Sequence, residues 1–135
     1  MRTTTLGKIL AFDPHNENWV LLVPSLRNGM SDDMPISYSE ILDICGLRDA
    51  LWATRTETDF QWVQELTLTY ANHVDFWRSP IFSRMIREYA ANSLACSNAR
   101  CASDYCVHTA SLASGNLSHG KEHEWQKQEF LKVVS

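Results

Sequence analysis

The clearest pattern of hydrophobic and polar positions lies in the middle of the chain, between Thr58 and Trp77. Apolar residues recur there at spacings of three and four, the period of one face of an α-helix. Thr58 and Gln61 form a T-x-x-Q box, which is typical of a helix start. The pattern predicts an amphipathic helix that runs to about Trp77 and buries Phe60, Val63, Leu66, Thr67, Tyr70, Ala71, Val74 and Trp77.

Shorter elements are predicted before this helix. Residues 3–14, "TTTLGKILAFDP", indicate a short helix that ends before the proline. Residues 15–29 favour a second helix, although "NWVLLVPS" within them is the only good strand candidate. "SDDMP" is typical of a turn. The N-terminal part is thus expected to be helical, with short elements.

Two further short helices are separated by a glycine. Ser37 and Glu40 form an S-x-x-E capping box, which marks a helix start. Gly46 is a natural left-handed helix end. A helix over "LRDALWATRTE" follows, with one shared face made by Leu47, Ala50, Leu51 and Thr54 and with Trp52 at its edge.

Long helices are predicted in the second half. Ser79 as N-cap and Pro80 at the first helical position give a strong start. Helical character continues to Gly115, with Ser97–Asn98 as the expected interruption, and Ser118 caps a final helix. We therefore predict an all-α fold: one domain over residues 1–135, a compact bundle of five to seven helices, shorter in the N-terminal half.

Composition and charge limit the classes of function that we expect for the protein. The chain is 44% hydrophobic and 21% charged, with a net charge of −4 and a pI near 5.7. Direct nucleic-acid binding is not expected, because it usually requires a basic surface. An acidic surface instead suits a basic protein partner, including one that itself binds nucleic acid. The candidate contact residues are Asp32, Asp33, Glu57, Asp59 and Asp104.

The location is expected to be cytoplasmic. The first twelve residues are too weakly basic and apolar for a signal peptide. No apolar run approaches the length that spans a bilayer. Thiols stay reduced in the cytoplasm, so Cys45, Cys96, Cys101 and Cys106 are expected to be free, small, buried side chains.

Three of these cysteines and a histidine form the first chemical candidate, "CSNARCASDYCVH". A metal site made of Cys96, Cys101, Cys106 and His108 is disfavoured, because a spacing of five spreads side chains around a helix. The alternative is close-packed helix, rich in alanine, serine and cysteine. "DYCVHTASLASG" also resembles the C-x-x-C-x-x-H region of the AhpD-like peroxidase and carboxymuconolactone decarboxylase family, although Ser103 replaces its first cysteine.

The second chemical candidate is "HGKEH", formed by His119, Glu122 and His123. It matches the H-x-x-E-H motif of inverted zinc proteases, which needs two histidines, a glutamate base and a third ligand. Only Glu124 or Glu129 is available downstream as that ligand. A solvated first helical turn explains the same residues without chemistry.

The first half of the chain carries a more specific pattern. "ILDICGLRDALWATR" resembles the "ILD..GL.DALW..R" block of bacterial and phage proteins often labelled putative immunity proteins. Other matching positions precede the block: Phe12-Asp13-Pro14, Trp19, Asp32-Asp33 and Pro35-Ile36-Ser37. The resemblance implies protein binding rather than catalysis, and no active site. Within the block, the residues expected to form core are Ile41, Leu42, Leu47, Leu51 and Trp52, with Gly46 as the turn.

We interpret the sequence as a small non-enzymatic inhibitor or immunity factor. It would be encoded by a phage or mobile element and would act on a bacterial toxin or defence effector, as an anti-CRISPR does. No cofactor and no membrane partner are expected. Two alternatives stay open: a thiol redox or metal-dependent enzyme using Cys101, Cys106 and His108, and a homo-oligomeric scaffold, of which a homodimer is the simplest form.

Overall fold

A computed structural model describes residues 1–12, 31–77, 80–95, 98–114 and 119–135. Within these ranges most of the chain is helical and the strands form one small sheet, which confirms the predicted all-α class. The four C-terminal helices have 16 or 17 residues, against eight and seven for the two before them. The helices are α1 (Leu6–Leu10), α2 (Tyr38–Cys45), α3 (Leu47–Ala53), α4 (Gln61–Trp77), α5 (Pro80–Ala95), α6 (Ala99–Ser114) and α7 (His119–Val134).

The small sheet corrects the prediction for the N-terminus. Strand β1 (Thr3–Thr5) pairs antiparallel with β2 (Pro35–Ser37), whereas the sequence placed residues 3–5 in a helix. The reason is the run of β-branched threonines, which suits extended backbone. Thr5 remains extended and its side chain accepts a hydrogen bond from the Lys8 N–H at 3.2 Å, so that α1 starts directly after the strand. The strand candidate at residues 18–25 lies outside the described residues.

Local signals around α2 act largely as predicted. The Ser37 hydroxyl accepts a hydrogen bond from the Glu40 N–H at 3.1 Å and caps α2. Gly46 has a positive φ of 91°, but its ψ of 173° is extended rather than left-handed helical. Its N–H donates to the Leu42 carbonyl at 2.9 Å. Gly46 therefore both ends α2 and starts α3.

The start of α4 differs from the prediction. The helix begins at Gln61, and the Asp59 carboxylate accepts from the Gln61 N–H at 3.3 Å. Asp59 rather than Thr58 provides the capping oxygen, since aspartate commonly bonds the backbone two residues on.

The predicted interruption before α6 is confirmed. Helix α5 begins at Pro80, as expected, and ends at Ala95. The Asn98 side chain then accepts from the Cys101 N–H at 2.9 Å, which caps α6. The final helix begins at His119, as predicted, while the proposed caps Ser79 and Ser118 lie outside the described residues.

Helix α4 forms the centre of the core. It packs against α5, α6 and α7. Val63, Leu66, Thr67, Tyr70 and Ala71 are at most 1% exposed, which confirms the predicted apolar face. Phe60 is only half-buried, and the side chains of Val74 and Trp77 lie outside the description.

A stripe of small residues lets α6 approach its neighbours closely. Its buried positions recur at spacings of three and four and face α3 and α4. The Ser103 hydroxyl donates to the Leu51 carbonyl across this contact at 2.7 Å. The stripe consists of Ala99, Ala102, Ser103, Cys106, Thr109 and Ala110, and it confirms the prediction of close-packed helix for this segment.

Candidate functional site

A cavity of about 220 Å³ opens between α3, α6 and α7. Its apolar lining comes from two helices: Leu47 and Leu51 are one turn apart on α3, and Val107 and Ala110 are neighbours on one face of α6. Leu47, Leu51 and Ala110 also belong to the core, at 4%, 1% and 5% exposure. The apolar part of the cavity is therefore held by residues that the fold itself fixes.

Polar side chains surround this apolar lining. Arg48 and His123 line the cavity and are exposed, so they stand at its mouth. Gln126 lines it from one turn further along α7 and is 2% exposed. The cavity thus combines an apolar interior, two basic residues at the opening and a buried amide in the wall.

Gln126 is held in place by three hydrogen bonds. Its side-chain amide donates to the Ala110 carbonyl at 3.0 Å and to Glu122 Oε1 at 3.1 Å. The Tyr70 hydroxyl donates to the Gln126 backbone carbonyl at 2.9 Å. Burial raises the pKa of Tyr70 well above its ordinary value, so this donor keeps its hydrogen. The polar wall of the cavity is consequently rigid.

Glu122 extends this network to α4. The residue is 4% exposed, and His73 Nδ1 lies 3.1 Å from Oε1 and 2.9 Å from Oε2. The aligned hydrogen bond is the one to Oε1, and the buried Oε2 has no hydrogen-bond partner among the described residues. The His73 ring stacks on Trp125 at a centroid distance of 3.6 Å. His73 is therefore fixed by both a carboxylate and an aromatic face.

His73 and Gln126 were not among the site residues predicted from the sequence. His73 is 49 positions away from Glu122, and only the packing of α4 on α7 brings them together. The one available signal was that Glu122 and Gln126 are separated by one helical turn, a spacing at which side chains interact.

The "HGKEH" motif does not assemble as a metal site in the part of the chain that the structure describes. Glu122 faces His73, and His123 faces the cavity. The side chain of His119 lies outside the description. No group of three or more histidine, cysteine, aspartate or glutamate side chains could hold a metal among the described residues.

Cys106 and His108 lie in different environments. Cys106 is fully buried, and burial raises the pKa of its thiol to about 12. His108 is exposed. Cys101 is disulfide-bonded, which contradicts the expectation of a free thiol, and Cys96 lies outside the described residues.

Cys45 fits the expectation of free and buried thiols only in part. Cys45 and Cys106 are free, but Cys45 is only half-buried. Burial and the neighbouring Asp49 carboxylate raise the pKa of Cys45 to about 12. Neither thiol has the lowered pKa that activates a nucleophilic cysteine.

Two of the five candidate acidic residues contact side chains that are distant in the sequence. Glu57 accepts a hydrogen bond from the Tyr38 hydroxyl at 2.7 Å. Asp104 forms an ion pair with Arg55, whose guanidinium also lies over the Trp52 ring at 4.2 Å. Burial lowers the pKa of Arg55, and the Asp104 carboxylate opposes that shift. These contacts give both acids a structural role.

The other three acidic candidates lie at element boundaries. Asp59 is exposed and caps α4. Asp33 is exposed in the turn before β2, while Asp32 is half-buried and accepts from the Gly7 N–H through its backbone carbonyl at 2.9 Å. Of these three residues, only Asp33 has an exposed side chain without a contact to another described residue.

The fold and these contacts define an all-α protein with a small two-stranded sheet and a pocket between α3, α6 and α7. No protein-family model, curated protein or solved structure matches the chain. Among the described residues, no helix is both long and apolar enough to cross a membrane.

Proposed function

We propose that this protein is a small non-enzymatic inhibitor or immunity factor that binds a bacterial toxin or defence effector. The phage or mobile-element origin and the anti-CRISPR type of activity are part of this proposal. They rest on the resemblance of the "ILDICGLRDALWATR" block to the putative immunity proteins.

One observation supports protein binding above the others: the acidic face of α2. From Ser31 to Leu47 the chain has four carboxylates and no lysine or arginine. Glu40, Asp43 and Ile44 are exposed and lie at spacings of three and four, so they share one face of the helix. Ile44 is 46% exposed. An apolar side chain beside carboxylates is the combination that a basic protein surface can cover.

The turn before β2 also presents a carboxylate next to an exposed apolar side chain. Asp33 and Met34 are adjacent and exposed, Met34 to 44%. Carboxylates at the edge of an interface mainly raise the association rate and select the partner, whereas apolar anchors supply affinity. We therefore assign steering to Asp33, Glu40 and Asp43, and affinity to Met34 and Ile44.

The buried side of the same segment is structural. Ile41, Leu42, Leu47 and Leu51 are at most 4% exposed, as predicted, and Trp52 is half-buried. The block that resembles the immunity proteins thus builds the core on one side and presents the acidic face on the other.

The alternatives find less support. A thiol enzyme needs an accessible thiolate, but Cys106 is fully buried and separated from the exposed His108. A scaffold that pairs through the small residues of α6 would need that stripe at the surface, and it is buried against α3 and α4 of the same chain.

The proposal is tested by co-expressing the protein with a panel of toxins and defence effectors and scoring survival of the cells or loss of defence. For an effector that is neutralised, binding is then measured by surface plasmon resonance over a salt series. We expect the association rate to fall as ionic strength rises, because exposed charges are screened beyond about 10 Å at 0.1 M salt.

Matched variants separate the acidic face from net charge. Glu40→Gln with Asp43→Asn should reduce the association rate by about fivefold or more, and Ile44→Ser should mainly raise the dissociation rate. Glu65→Gln with Glu124→Gln removes the same charge from α4 and α7, where both residues are exposed, and should leave binding unchanged. Equal loss in both double variants, or binding insensitive to salt, would contradict the proposal.

A further inference from the structure

The pocket between α3, α6 and α7 is of the right size for a small molecule. Its volume is about 220 Å³, whereas an apolar cavity of about 150 Å³ already holds benzene. Typical drug-sized sites begin at about 300 Å³. The space therefore suits a benzene-sized group with one short substituent.

The apolar surface and the basic residues occupy different parts of this pocket. Leu47, Leu51, Val107 and Ala110 provide the interior. Arg48 stands at the mouth and makes no ion pair with any residue in the part of the chain described. A guanidinium binds carboxylates through paired hydrogen bonds.

The buried wall determines the orientation of a ligand. Both hydrogens of the Gln126 amide are donated to protein acceptors, at 3.0 and 3.1 Å. Gln126 can then offer a ligand only its carbonyl oxygen. An anionic group is disfavoured beside that oxygen and favoured at the mouth, near Arg48 and His123.

We propose that this pocket binds a small monocarboxylate with an aromatic or branched aliphatic body. The body lies against the apolar interior, and the carboxylate accepts hydrogen bonds from Arg48 at the mouth. The site is separate from the acidic face of α2, so it does not depend on the proposed protein partner.

Phenylacetate and its neutral analogue phenylacetamide are the probes. Isothermal titration calorimetry or ligand-observed NMR with the full chain should give a phenylacetate dissociation constant of about 1 mM or tighter, the range expected for so small a ligand. Phenylacetamide should bind about tenfold more weakly, because it lacks the charge that Arg48 recognises.

Variants identify the pocket. Arg48→Gln should weaken phenylacetate about tenfold, equivalent to about 1.4 kcal/mol, and leave phenylacetamide unchanged. Val107→Phe should abolish binding of both, because it fills the interior. Arg84→Gln, whose side chain is 84% exposed on α5, is the control and should bind as the wild type does.

Two results would overturn this proposal. One is the absence of phenylacetate binding at millimolar concentration, and the other is unchanged binding by Arg48→Gln in a protein whose circular dichroism melt is normal. The Glu40→Gln, Asp43→Asn variant should bind phenylacetate normally, so failure of one proposal does not imply failure of the other.

Discussion

Replacing His73 by alanine tests the buried network behind the pocket. The substitution removes the Nδ1 donor that lies 2.9 and 3.1 Å from the two oxygens of Glu122. It also removes the ring that stacks on Trp125 at 3.6 Å. Glu122 would keep Gln126 as its remaining described side-chain donor. The buried Glu122 carboxylate would then lose one of its two described hydrogen-bond donors.

The contacts that His73→Ala removes determine the expected loss in the free energy of unfolding. A hydrogen bond to a charged group contributes about 1.5–3 kcal/mol, and an aromatic contact about 0.5–1.5 kcal/mol. The His73 side chain is 23% exposed, so water replaces part of the lost hydrogen bond. We therefore expect His73→Ala to lower the free energy of unfolding by about 2–3 kcal/mol.

Urea denaturation followed by tryptophan fluorescence measures this loss, and a double-mutant cycle assigns it. In a Glu122→Gln background, His73→Ala should cost about 1 kcal/mol less, because no buried charge is left behind. His108→Ala replaces an exposed histidine on α6 and should cost less than about 0.5 kcal/mol. If His73→Ala costs the same in both backgrounds to within about 0.3 kcal/mol, the proposed contact does not stabilise the fold.

The remaining predictions concern the backbone and the buried thiol. Gly46→Ala should destabilise the protein by about 1–2 kcal/mol in the same assay, since φ is 91° there and the new Cβ meets no atom within 4 Å; an unchanged stability would refute the strain. Burial raises the pKa of Cys106 from 9.0 to about 12, so the folded state retains a proton that the unfolded state loses. Stability should be fully present below about pH 8.5 and fall as the pH rises toward 12, with a smaller slope in Cys106→Ala; equal slopes would contradict this.

Local sequence signals determined much of the secondary structure. The apolar period of α4, the Ser37 cap, the Pro80 start and the positive φ at Gly46 each depend on residues within about one helical turn. Such signals act on the backbone directly and therefore remain readable before the chain is folded.

Contacts between distant segments were decided by the tertiary structure. Thr3–Thr5 formed a strand because its β-branched residues suit extended backbone and because Pro35–Ser37 supplies the hydrogen-bonding partner. Only the second of these conditions depends on the tertiary structure. The acidic candidates Glu57 and Asp104 received internal partners in Tyr38 and Arg55 in the same way.

The pocket, too, could be predicted from the sequence only in part. Its apolar residues were predictable as core, because helical periodicity alone identifies Leu47 and Leu51. That they leave a cavity beside Arg48, and that Glu122 turns toward His73 rather than toward a metal, depends on how α4, α6 and α7 pack. The sequence by itself thus determined most of the helices and the faces that they bury. The tertiary structure decided which polar side chains meet, because hydrogen-bond geometry depends on positions that only the packed chain defines.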